Sequence, residues 1–135
     1  MNIKKKHRLG GKEIRYIMQN RHNKKLFFAN ILVFHMIKQY SNNAYNKFSI
    51  NIPIKAWKKA VFRNALKRIF MDEVFKRKLV NKKISNWYWK IFISINKKNI
   101  SKVKTISEKK PLDKENLRKL ISNDIEFFLR RIRAS

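Results

Sequence analysis

Arg63, Asn64, Lys67 and Arg68 are the residues of this chain best suited to grip phosphate. Their spacing is i, i+1, i+4 and i+5, so at 100° per residue they share one face of a helix. Phe62, Ala65, Leu66 and Ile69 fall on the other side as an apolar stripe. Guanidinium forks match phosphate oxygens bidentately, and an Asn amide donates and accepts beside them. Lys55, Lys58 and Lys59 add cations in the turn that leads into the helix. A row of cations on a helix is often only a solvated face, but such faces usually interleave signs to gain i,i+4 terms. Here no acid follows until Asp72 and Glu73, which read as tempering the charge of the stretch. Unrelieved like charge costs stability unless a polyanion supplies the partner.

The whole chain shows the same imbalance. Its 135 residues carry 35 Lys and Arg against 8 Asp and Glu, a formal net charge of +27. A coding bias toward Lys would raise Glu with it, and Glu is scarce. The excess therefore points to a polyanionic partner. Hydrophobic residues make up 44% and aromatics 13%, enough to build a packed core and to argue against wholesale disorder. Cysteine is absent, which excludes disulfides and thiolate metal ligands and fits a reducing compartment, so the expected location is cytoplasmic. His7, His22 and His35 lack ligand spacing. The apolar run from Leu26 to Ile37 contains Asn30 and His35 and falls short of the about 20 residues a membrane helix needs. It reads as a buried strand.

These segments must carry the cationic helix. A basic arm, residues 1–8, precedes Gly10-Gly11 and a short amphipathic helix with Ile14, Ile17 and Met18 at i, i+3, i+4. The first strand spans Leu26 to Ile37. A second, with Phe48, Ile50, Ile52 and Ile54 in alternation, ends near Pro53. The central helix runs from about Trp57 to Leu79, and a third strand from Trp87 to Ile95. A basic loop, 96–110, leads to a closing helix capped by Asp113, with Leu117, Leu120, Ile121, Ile125, Phe128 and Ile132 inward. The expected fold is α+β: a small single-domain sandwich ordered helix-strand-strand-helix-strand-helix around a central basic helix, with 1–135 as one domain whose polyanionic partner could be RNA, DNA or an anionic membrane.

No nucleophile–base pair can be assembled, and the only two glycines, Gly10 and Gly11, form no phosphate loop. Any catalysis must come from a partner. The run Lys59-Ala60-Val61-Phe62-Arg63-Asn64-Ala65-Leu66-Lys67-Arg68 resembles the A-V-x-R-N-x-x-K-R signature of the bacterial ribonuclease P protein subunit. Arg8-Leu9 before the first helix, a strand ending in Lys55, the Trp-led strand and the Leu-rich last helix follow that family's order over about Lys6 to Ile132. The chain departs from it at Ala65, where a third Arg is usual, at Lys58-Lys59, where Gly-Asn is usual, and at Lys55-Ala56, where Lys-Lys is usual.

The resemblance implies the accessory subunit of a ribonucleoprotein endoribonuclease. In it a catalytic RNA, using Mg²⁺ held through the RNA rather than by a protein site, removes the 5′ leader from precursor tRNA. The protein alone would be inactive. Its partners would be the catalytic RNA and precursor tRNA, with no membrane. The RNA would lie on Arg63, Asn64, Lys67, Arg68, Lys55, Lys58 and Lys59. The sheet and first helix would hold the leader, with Phe34, Ile14 and Met18 as lining residues. The rival is a ribosomal or other structural RNA-binding protein without a role in catalysis.

Overall fold

The computed structural model describes residues 5–20, 22–40, 42–53, 59–103 and 113–134. Helix α1 (Gly11–Gln19) precedes strands β1 (Lys25–Phe28), β2 (Leu32–Lys38) and β3 (Lys47–Ile50). Helix α2 (Ala60–Lys76), strand β4 (Trp89–Ile95), a 3₁₀ segment (Lys97–Val103) and helix α3 (Lys114–Ala134) follow. The four strands form one sheet in the order β1-β2-β4-β3. β1–β2 and β2–β4 are antiparallel, while β3 and β4 run parallel with α2 as their crossover. The architecture is α+β, as the patterning predicts, but the first strand is a hairpin of two.

One face of the sheet lies under α2 and α3. Phe34, Met36, Phe48, Trp89, Ile91 and Ile93 meet Phe62, Leu66, Phe70, Ile121, Ile125 and Phe128 there in one core. On the other face Ile37 and Phe92 pack with Leu9 and Ile17, with half-buried Ile14 against them, and this cluster seats α1. Glu13 pins α1 in place. It accepts the Gly10 N–H at 3.0 Å and pairs with Lys47 at 3.2 Å and Lys90 at 3.0 Å. Burial pushes the Glu13 carboxyl up, but the Gly10 N–H and the two ammonium groups outweigh it and hold the group below its usual range.

The hairpin turn between β1 and β2 has neither Gly nor Pro. Its backbone is satisfied from distant elements instead. Asp124 on α3 accepts the N–H groups of Asn30 (3.1 Å), Ile31 (2.9 Å) and Leu32 (3.0 Å). Asn96, just after β4, donates to Ala29 O at 2.9 Å, and Asn99 donates to Asn30 O at 2.7 Å. Asn46 is a second buried clip: its amide donates to Leu79 O and Lys82 O and accepts from Trp89 N–H. Asp113 caps α3 as expected, accepting the Asn116 N–H at 3.1 Å.

Burial pushes the Asp124 carboxyl up, against the pull of its three backbone donors. Asp124→Asn keeps one acceptor oxygen and turns an NH₂ toward N–H donors, so at least the part-buried Asn30 N–H loses this acceptor. The expected loss is about 1–3 kcal/mol per donor so affected in urea unfolding. An unchanged midpoint would show that the turn holds without the carboxylate.

Candidate nucleic-acid interface

Helix α2 divides its residues as its periodicity requires. Phe62, Ala65, Leu66 and Ile69 are buried, whereas Lys59, Asn64, Lys67 and Arg68 are exposed and Arg63 is partly exposed. The predicted cations on the described part of α2 thus share its outer side. Lys55 and Lys58 lie outside the described residues. Val61 is 72% exposed beside this face, an apolar side chain left to solvent among cations. One surface valine carries no signal in the sequence by itself.

Asp72, one turn beyond Arg68, and Glu73 follow the cationic stretch directly. They turn toward α3, where Arg118 lies 3.5 Å from Glu73 and 3.9 Å from Asp72. Arg77, past the end of α2, approaches Glu73 at 3.6 Å and pairs with Glu126 on α3. The Arg77 hydrogen bond holds the Glu126 carboxyl below its usual range. These pairs join α2 to α3.

A second surface lies on the α1 side of the sheet. Phe34 is not part of it. At 1% exposure, Phe34 stacks on Phe128 at 4.5 Å between rings and packs 6.4 Å from Phe70, on the opposite side from α1. The α1 side belongs to its neighbours in the strand, Val33, His35 and Ile37. Pairing Leu26↔His35, His35↔Phe92 and Ser49↔Phe92 makes a row across all four strands, and Phe28↔Val33 and Val33↔Ser94 a second. Phe28 is 60% exposed and Leu26 is also exposed. Of the other predicted lining residues, Ile14 is half-buried beneath α1 and Met18 is exposed on it.

His35 sits in the middle of the first row. One ring nitrogen, Nε2, lies 2.9 Å from Ser94 Oγ, and Nδ1 lies 3.4 Å from Lys24 Nζ. An ammonium can only donate, so Nδ1 is the acceptor and Nε2–H donates to Ser94. Burial, and then the Lys24 charge, lower the His35 pKa to about 4. The ring is therefore neutral at pH 7, and Lys24 carries the local charge. Among the described residues no three His, Asp or Glu converge to hold a metal ion, and no helix is long and apolar enough to cross a membrane.

Compared with solved structures, the chain superposes on the Staphylococcus aureus RNase P protein with a TM-score of 0.64, covering 90% of this chain and 94% of that one at 11% identity. The Thermotoga maritima RNase P protein gives 0.59 over 92% and 96% at 22% identity. This is the fold of the RNase P proteins. No protein-family model and no curated protein matches the chain. The RNase P protein fold is thus recognised from backbone geometry, independently of the short run Lys59 to Arg68 quoted from the sequence.

The RNase P protein fold places the α2 cations and the α1-side rows on different elements, with the main core between them. His35 provides a direct check on the second surface. Its folded pKa lies below that of the unfolded chain, so the unfolded state binds the proton more readily. Stability is complete above about pH 6.5 and is lost progressively as pH falls toward about 4. The His35 ring protons, followed by NMR, should titrate near pH 4. A midpoint near 6.5 would show that the Ser94–His35–Lys24 arrangement does not form.

Proposed function

We propose that the chain is the protein subunit of a ribonuclease P, which assists a catalytic RNA in removing the 5′ leader from precursor tRNA. The observation that carries this reading is the coincidence of two independent features. The fold is that of the RNase P proteins, and the residues matching the family signature lie together on the outer side of its central helix.

In this reading Arg63, Asn64, Lys67 and Arg68, with Lys59 and the preceding Lys55 and Lys58, grip the backbone of the catalytic RNA. Phe28, Leu26 and Met18 offer faces on which unpaired leader bases stack or pack, and Lys24 supplies a cation beside them. The protein supplies no general base. In this reading the Mg²⁺ ion is held by the RNA. What the chain contributes is position and charge: its cations lower the repulsion between leader and catalytic RNA, work otherwise left to a higher Mg²⁺ concentration. The cytoplasm, where tRNA precursors are made, is the matching location.

The test is reconstitution with a candidate catalytic RNA and assay of leader removal at limiting Mg²⁺. Wild-type protein should restore cleavage there and show none without RNA. Arg63→Ala and Lys67→Ala should stay folded within about 0.5 kcal/mol and reduce the salt slope of RNA binding by roughly one unit each. Leu66→Ala should cost about 2–5 kcal/mol and fail through unfolding, visible by circular dichroism. Cleavage by RNA-free protein, or co-purification with ribosomal RNA alone, contradicts the reading.

A further inference from the structure

A third concentration of aromatic and cationic groups lies where β2 ends and β4 begins, used by neither surface above. Tyr40 is 80% exposed and Trp87 40%. Their rings stand edge to face with centroids 5.9 Å apart. Lys38 places its ammonium 4.3 Å from the Trp87 ring centre, and Lys83 lies 6.0 Å from that of Tyr88. Beside them opens a cavity of about 350 Å³ lined by Asn42, Asn43, Lys83, Asn86, Trp87 and Tyr88.

The backbone holds this site stiffly. Ile84 and Trp87 exchange both backbone hydrogen bonds, at 2.9 and 3.2 Å, across a two-residue turn. Ser85 and Asn86 in that turn have φ of 50° and 68°, the left-handed region that hairpins of this length demand. Serine is strained there. Buried Ile84 anchors the turn, and its carbonyl accepts the Trp89 indole N–H at 2.6 Å. On the facing loop, Gln39 donates its backbone N–H to Tyr88 O at 2.8 Å and its side-chain amide to Tyr45 O at 2.8 Å. Trp87 is thus presented on a braced support and kept partly in water.

We infer that this corner is a binding site for an unpaired RNA nucleotide, distinct from the α2 face and the α1-side rows. Exposed rings offer stacking to any base, and each stacked base contributes about 1–3 kcal/mol. Lys38 and Lys83 meet the flanking phosphates, and the Asn42 and Asn86 amides suit base edges, which both donate and accept. The cavity lies within the roughly 300–1,000 Å³ range of small-ligand sites. A chain of charge +27 selects a polyanion over a neutral or basic partner. The inference does not depend on the nature of any catalytic RNA, so its test uses a short oligonucleotide and can fail independently of the reconstitution above.

A single-stranded hexamer of 5-iodouridine, which photo-cross-links to aromatic rings, is titrated against the full chain and the linked peptides are mapped by mass spectrometry. Cross-links should appear at Tyr40, Trp87 or Tyr88. Tyr40→Ala, which removes a ring almost wholly in solvent and so leaves the fold intact by circular dichroism, should raise the half-saturating RNA concentration at the Trp87 peptide by about 5- to 100-fold. It should leave the salt slope unchanged, whereas Lys38→Ala should lower it. Saturating cross-links elsewhere with none at these three residues would overturn the inference. So would concentration-dependent dimers that Tyr40→Ala abolishes, because the corner would then be an interface between copies of this chain.

Discussion

Charge is the constraint around which this molecule is built. With 35 cations and 8 acids, the fold cannot neutralise itself, and five of the described acids are placed where elements meet. Glu13 holds α1 to β3 and β4 through Lys47 and Lys90. Asp72 and Glu73 bind α2 to α3 through Arg118, and Glu126 adds Arg77. Asp124 pairs with no cation among the described residues but closes the β1–β2 turn. These pairs range from the buried Glu73 to the exposed Glu126. Their consequence is spatial: acids gather at the seams, and the outer side of α2 is left strongly positive. That surplus repels itself until a polyanion arrives.

The sheet gives the surplus two addresses. Its core side is filled by Phe34, Phe48, Trp89 and the inward residues of α2 and α3, and that core separates the α2 cations from the α1-side rows. The two surfaces also differ in chemistry. Guanidinium and ammonium groups on a helix suit the regular phosphates of a folded RNA. Leu26, Phe28 and Met18 beside Lys24 suit bases that have left their helix. The proposed subunit, which would touch a catalytic RNA and its substrate at once, suits that division. The α2–β4 and β2–β3 connections add the Tyr40–Trp87 corner at the sheet's end.

The face of α2 was legible in the sequence because Phe62, Ala65, Leu66 and Ile69 recur at helical spacing, and burial follows that spacing. The hairpin in the first strand was not. A turn without Gly or Pro needs its N–H groups satisfied, and their acceptor, Asp124, lies more than ninety residues away. Phe34 was misplaced for a related reason: β2 is buried on both sides, so no alternation marks which of its residues faces α1. The end of β3 was overrun because Ile52 and Ile54 continue its alternation, although Pro53 has no N–H for a ladder. The end of α2 was also set too late. The helix stops at Lys76, Lys78 takes φ 57°, and Leu79 N–H closes on Val74 O, a helix stop usually marked by glycine and here carried by lysine.

The two surfaces proposed to face RNA, with the core between them, should be protected in sequence. The direct measurement is lysine acylation read by mass spectrometry, first on the free protein, then with the catalytic RNA, then with precursor tRNA carrying its leader. Lys67 should lose reactivity when the catalytic RNA is added, while Lys24 stays reactive until the leader-bearing precursor arrives. Lys67 equally reactive in all three states, or Lys24 shielded by the catalytic RNA alone, would contradict this division of the protein's surface.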